Sequence, residues 1–310
     1  MNKMINFIIG NHSPYLATED AFEYLVAGVR SVGGVIGYSI DDYATEGVNV
    51  IMERRTVEQA KILVNLRQRF PKSKLFVIAT EVLTEAGFNS ANTVHTDDGS
   101  HYSNAPYWTE RTNGFLTLVP CIDGLIFLAE SLFEGYQRLS LPSYYLPLVA
   151  LPDYPILRRL PEELRDIDVF FSGAMTEYRA GVMETLREQG LRVFSQLAKT
   201  PSYLRNHFLA RSKLAIGLRL GPDTQFTSKQ RAHYYLLNRI PHVFESTPDH
   251  TDLHTYIEFA RPGDEFVEHC FEILNGVRVF PEHVFDDFRH QPKFDHVSVF
   301  RGFLQFLSSD

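Results

Sequence analysis

The sequence predicts an α/β chain of two parallel-sheet halves, on three observations. Short apolar runs alternate with amphipathic stretches, the pattern of strands crossed by helices. The alternation stops at a segment with three prolines and clustered charge, LPDYPILRRLPEELRD, and then restarts. At 310 residues the chain has room for two domains of ~150 residues. The expected division is a first domain at 1–151, a linker at 152–167, a second domain at 168–284 and a tail at 285–310 that packs back on the first.

In the first half, INFII at 5–9 reads as a buried strand, followed by a loop at 10–15 and an amphipathic helix at 18–31. Strands follow at 35–38 and 48–52. A helix at 56–70 is stopped by Pro71, and a strand at 75–79 is closed by Thr80 and Glu81. The rhythm then breaks. FNSANTVHTDDGSHYSN at 88–104 is polar throughout and reads as a long loop. A helix at 106–118, a strand at 125–128, a helix at 130–137 and an edge strand at 144–151 complete this half. Pro147 confines that last strand to an edge.

In the second half, strands are expected at 168–171, 191–195 and 214–220. Helices fall at 176–189 and 201–211, the second with Thr200 as cap and Pro201 in its first position. After a loop at 221–226 comes the most informative stretch, TSKQRAHYYLLNRIPHVFEST at 227–247. It reads as a capped helix, a stop at Asn238–Arg239 enforced by Pro241, and a short buried strand. Lys229 and Arg231 lie in the helix's first turn, where cations oppose the helix dipole unless an anion binds between them. Glu245, Ser246 and Thr247 follow the strand, at the carboxyl edge where open α/β sheets bind ligands. An extended segment at 253–259, a helix at 264–274 and an aromatic, partly helical tail close the chain.

Composition sets the outer limits. A 44% hydrophobic, 22% charged chain is an ordinary soluble globular protein. Its net charge of −8 disfavours nucleic acid as a partner, because no basic field gathers phosphates; a local pocket for one nucleotide stays open. Cys121 and Cys270 lie in apolar surroundings with no C-x-x-C, as buried thiols of a reducing compartment do. The opening MNKMINFIIG is too short for a signal h-region, and no run is long enough to span a membrane. A cytoplasmic location is expected.

DVFFSG at 168–173 followed by Arg179, the 228–247 stretch, and LHTYIEFARPGDEFVEHCFEIL at 253–274 together resemble the donor half of GT-B nucleotide-sugar glycosyltransferases. The first half matches that family only as a β/α pattern. The resemblance implies two Rossmann-like domains facing across a cleft, the first for the acceptor and the second for the donor. It implies a hexosyltransferase-like enzyme using a nucleotide-diphosphate sugar, with no metal and no separate cofactor. Lys229 and Arg231 would clamp the diphosphate, helped by Ser172, Gly173 and Arg179, while Tyr234, Glu245, Ser246 and Thr247 would contact the ribose or sugar. Two positions depart from the family. An acid that many retaining members carry seven residues before the strand-leading proline is Tyr234 here, and Asn238–Arg239 replaces the turn glycine. The resemblance therefore carries over neither the ribose-binding acid nor a retaining outcome.

Transfer with inversion needs a base. His12, directly after the first strand, ranks first, with Glu81 and Asp97 next. HTDDGSH at 95–101 matches no metal-site spacing and has ordinary turn composition, so it is expected to be an acceptor loop. Trp108, beside that loop, is either a sugar-stacking ring or core. The acceptor stays open among glycan, lipid-linked sugar, protein and modified DNA base. A nucleotide-sugar epimerase and a non-catalytic two-domain sugar- or nucleotide-binding protein are the rival readings.

Overall fold

The computed structural model describes residues 4–9, 13–39, 42–89, 105–152, 154, 157–196, 200–249, 252–291 and 295–309. The first sheet contains β1 (Ile5–Ile8), β2 (Ile36–Ser39), β3 (Val48–Met52) and β4 (Lys74–Ala79). A small antiparallel hairpin, β5 (Leu83–Thr84) with β6 (Gly87–Phe88), stands apart, and β7 (Gly124–Phe127) and β8 (Ser143–Tyr145) complete the sheet. Its order is β2-β1-β3-β4-β7-β8, parallel throughout. Every residue of β1, β3 and β7 is buried, as in a sheet covered on both faces. The covering helices are α1 (Ser13–Ser31), α2 (Val57–Arg69), α3 (Ala105–Leu118) and the single turn α4 (Phe133–Tyr136).

The second sheet has the order β10-β9-β11-β12-β13: β9 (Ile167–Ser172), β10 (Val193–Gln196), β11 (Ser212–Gly217), β12 (His242–Glu245) and β13 (Glu258–Ala260). Its helices are α5 (Glu177–Glu188), α6 (Ser202–Ala210), α7 (Lys229–Leu237) and α8 (Asp264–Leu274). The tail forms α9 (His283–Arg289), packed on α7, and α10 (His296–Ser308), packed on α1. Tyr144 donates to the Val299 carbonyl at 3.0 Å, and the Phe306 ring meets Phe76 and Tyr144, so α10 belongs to the first core. Among the described residues no helix is long and apolar enough to cross a membrane.

Local chemistry explains the boundaries. A capping box starts α2: Thr56 Oγ1 accepts from the Gln59 amide at 3.1 Å, and Gln59 Oε1 from the Thr56 amide at 3.0 Å. Thr176 caps α5, and Gly190 ends it at φ +83°, a left-handed position. The structure corrects several sequence expectations. Helix α1 begins at Ser13, because Pro14 suits a first helical turn and need not extend the loop. Pro201, not Thr200, occupies the cap position of α6. The helix expected at 130–137 is one α turn between two 3₁₀ turns. Of the two readings left open for Trp108, core is the one seen: the ring is 5% exposed and packed edge-on against Tyr107. Cys270 is buried and Cys121 only half-buried; both thiols are free.

In each sheet the chain reverses its direction of growth once, at β1/β3 and at β9/β11. Such switch points are where open α/β sheets hold ligands, at the strands' carboxyl ends.

Candidate functional site

A cleft of about 350 Å³ lies between the two sheets. Its walls are their carboxyl ends: Arg54 after β3, Thr80 and Glu81 after β4, Ser172 and Gly173 at β9, and Leu218 and Leu220 after β11. The first turn of α7 closes the second side. Ser228 is its N-cap but makes no side-chain cap bond.

Of the residues expected at the donor site, Ser172, Gly173, Arg179, Lys229, Arg231 and Tyr234 line this cleft. Arg179 and Arg231 both stand over the Phe171 ring, at 5.1 and 5.2 Å from its centroid. Arg179 is also fixed by carbonyls: it donates to Ala174 at 2.7 Å, Leu218 at 2.9 Å and Arg219 at 2.7 Å. A methyl group on Gly173 would sit 2.8 Å from Arg231 Nη2, so a side chain there would displace the guanidinium. The Gly173 amide donates to the Gln196 carbonyl at 3.1 Å, within the fold.

Lys229 is paired within the fold. Its ammonium is buried and pairs with Asp252 at 3.1 Å, with Glu130 at 3.8 Å and the Tyr145 ring 5.4 Å away. The awkward cation at the helix start thus has a protein counter-ion, and Glu130 and Tyr145 belong to the first domain. Tyr234 donates to Asn206 Oδ1 at 2.6 Å, and Arg205 stacks on its ring at 4.4 Å.

Glu245, Ser246 and Thr247 do not line the cleft. Glu245 is the last residue of β12 and is buried, accepting from the Arg219 amide at 2.7 Å and from the Tyr178 hydroxyl. Burial holds its carboxyl above the usual range. The Ser246 carbonyl accepts from Arg219. Thr247 meets Thr227 and Asp249 through its hydroxyl, and so braces the loop before α7. The physical reason is length: β12 runs one residue past the expected end, drawing Glu245 into the core.

On the opposite wall Glu81 is held at two points. Asn89 Nδ2 donates to Oε2 at 2.6 Å, and Arg54 Nη1 lies 3.3 Å from Oε1. Behind it Glu53, wholly buried, accepts from the Thr80 amide at 2.8 Å and the Thr80 hydroxyl at 2.7 Å. Burial, then the Glu81 charge, raises the Glu53 carboxyl to about 7. His12 and Asp97 lie outside the described residues, as does HTDDGSH. Among the described residues no group of three or more His, Cys, Asp or Glu could hold a metal ion.

Sequence reading passed over Arg54, Asn89, Arg205 and Asp20, all of which line the cleft. Arg205 and Asp20 form a two-point ion pair between α6 and α1, at 2.6 and 2.7 Å. Arg54 carried a usable signal, since it stands two residues after the apolar run of β3, as Glu81 does after β4. Arg205 and Asp20 lie within helices, and only the packing of one domain on the other joins them.

No family model matches the chain, and no curated protein matches it in sequence. Solved structures do match in shape. The chain is similar to an α-glucosyltransferase in complex with UDP and a 13-mer DNA containing a HMU base, over 100% of both chains, at TM-score 0.57 and 10% identity. It is similar to the N-terminal domain of Candida albicans trehalose-6-phosphate phosphatase over 99% of this chain and 97% of the other, at TM-score 0.50 and 9% identity. A pneumococcal O-GlcNAc transferase in complex with UDP and GlcNAc matches 84% of this chain at TM-score 0.47 and 7% identity; the chain spans 57% of that protein's length. The first two likenesses speak to shape, and with the two facing parallel sheets they give the conclusion that the chain has a GT-B fold of the kind nucleotide-sugar glycosyltransferases use.

Proposed function

We propose that the protein transfers a sugar from a nucleotide-diphosphate donor to an acceptor hydroxyl. The observation that carries this is the convergence of Arg179, Arg205 and Arg231 with the first turn of α7 on one side of a cleft. A held carboxylate, Glu81, stands on the other side. Positive groups on a chain of net charge −8 focus an anionic ligand locally. The volume falls in the roughly 300–1,000 Å³ range of small-molecule sites. In this reading Arg231 and the α7 amides take the charge that builds on the leaving diphosphate, with Arg179 behind them. Lys229 keeps Asp252 neutralised beneath. Glu81 accepts the acceptor's proton or orients the sugar, and domain closure excludes water that would hydrolyse the donor.

The test is a panel of nucleotide sugars, with release of free nucleoside diphosphate as readout. Slow donor hydrolysis, accelerated by one acceptor, is the expected result. The DNA bound by the similar glucosyltransferase makes base-modified DNA the first acceptor to try, before glycans and lipid-linked sugars. Binding without turnover for every donor and acceptor would sink the transferase reading. Interconversion of the sugar would replace it with an epimerase.

A further inference from the structure

Two carboxylates and one guanidinium meet at the end of β4. Arg54 pairs with Glu81, whose side chain borders the cleft. Glu53 is 0% exposed and does not reach the cleft; its Oε1 takes both donors of Thr80, the residue before Glu81. Its Oε2 is buried with no hydrogen-bond partner among the described residues. The charged and titratable groups facing it are Arg54 on its own segment, Glu81 beyond β4 and Tyr136 of α4. A bare carboxylate oxygen buried beside a second carboxylate is costly, whereas an uncharged carboxyl there costs far less. Were Glu53 ionised, it would compete with Glu81 for Arg54.

We propose that Glu53 is a positioning residue for Glu81: an uncharged carboxyl that pins the Thr80–Glu81 corner and leaves the Arg54 charge to the carboxylate at the cleft. This rests on the reading above, in which Glu81 faces the reacting sugar. It goes beyond that reading by giving one buried group control over the charge of the cleft wall.

The sign of the pH effect follows from linkage. A carboxyl raised in the folded state stabilises the fold fully below its unfolded value of about 4.3, and this stability is lost as pH climbs through neutrality. The amide introduced by Glu53→Gln cannot titrate, so the melting temperature of that variant minus that of the wild type should grow by several degrees between pH 5 and 8.5. Glu23, raised by its own burial and by Asp20 and Glu19, titrates in both proteins and cancels in the difference. Nucleoside diphosphate affinity should stay within about twofold, since Glu53 lies behind the cleft wall. The rate of donor turnover in the wild type should fall above neutrality as Glu53 ionises, and this limb should vanish in Glu53→Gln. A melting difference independent of pH, or identical pH–rate profiles, overturns the proposal. Should Glu53→Gln fail to fold, Glu81→Gln serves instead, read by melting alone because Glu81 faces the reacting sugar: loss of the neighbouring charge should move the pH-dependent fall of the melting temperature to lower pH, and an unmoved fall overturns the proposal. A wild type that neither binds nor turns over any nucleotide sugar removes the transferase reading, and the two stability curves then decide the Glu53–Glu81 pairing alone.

Discussion

At the scale of single residues, Lys229 and Arg231 looked alike in the sequence, as two cations in one helical turn. Their environments separate them. Lys229 is enclosed with Asp252, and removing it strands a carboxylate that is 7% exposed. Lys229→Ala should therefore destabilise the fold by roughly 3–5 kcal/mol, the cost of an uncompensated buried charge, read by a thermal or urea melt. Arg231 borders the cleft and should instead weaken nucleoside diphosphate binding when replaced by alanine, by about 1.5–3 kcal/mol in a calorimetric titration. A clamp made of both residues would show the two variants losing affinity equally with no difference in melting. Sequence alone could not make this distinction, because Asp252 lies 23 residues away and Glu130 in the other half. It could place both cations at the correct edge, since the β/α rhythm is local and the carboxyl-edge rule follows from it. Glu245 shows the reverse failure: one further residue of β12 turned an expected ligand group into a core carboxylate with two internal donors.

Among elements, α1 and α6 form a clasp across the mouth of the cleft. Asp20 grips Arg205, the Ser202 amide donates to Glu19 at 3.2 Å, and the Arg205 guanidinium rests on the Tyr234 ring. Both Asp20 and Arg205 also face the cleft, so an anionic ligand and Asp20 compete for the same guanidinium. Asp20→Asn should lower stability by roughly 1–2 kcal/mol, since the pair is only partly buried. It should at the same time tighten nucleoside diphosphate binding, because a carboxylate beside the phosphate site is removed. Weaker binding in Asp20→Asn would mean that the clasp organises the cleft and does not compete with its ligand. This device left no trace in the sequence pattern. Neither the α1 acids Glu19, Asp20 and Glu23 nor the helix at 201–211 carries a local motif that pairs them. What was legible, the helices and strands themselves, depends on neighbours a few residues apart; the clasp depends on partners 185 residues apart.

For the whole molecule, the chain passes between the two domains twice: outward through the proline-rich segment before β9, and back after α9, so that α10 lies on the first domain. The return helix is an integral part of that domain. Val299, Phe300, Phe303 and Leu307 are buried on its inner face, and Gly28 of α1 leaves the space into which the Phe300 ring packs; a methyl there would come within 1.9 Å of the ring. Burying four such side chains contributes about 6–12 kcal/mol at roughly 1.5–3 kcal/mol each, an upper figure because the unfolded chain already hides part of that surface. Domains of this size are stable by only about 5–15 kcal/mol. A chain ended at residue 291 should therefore lose the cooperative melt of the first domain and expose Phe76, Tyr144 and Tyr24. Far-UV circular dichroism with heating and the soluble fraction after expression would show it. Phe300→Ala is the graded version, expected to cost about 3–5 kcal/mol while leaving the donor-side cations in place. Nucleoside diphosphate affinity in Phe300→Ala, measured well below its melting point, should match the wild type, because the cations sit in the second domain and α10 packs on the first. A truncated chain that melts as the full one does would make the tail an accessory, and the double crossing would then be a tether between domains with no share in the core.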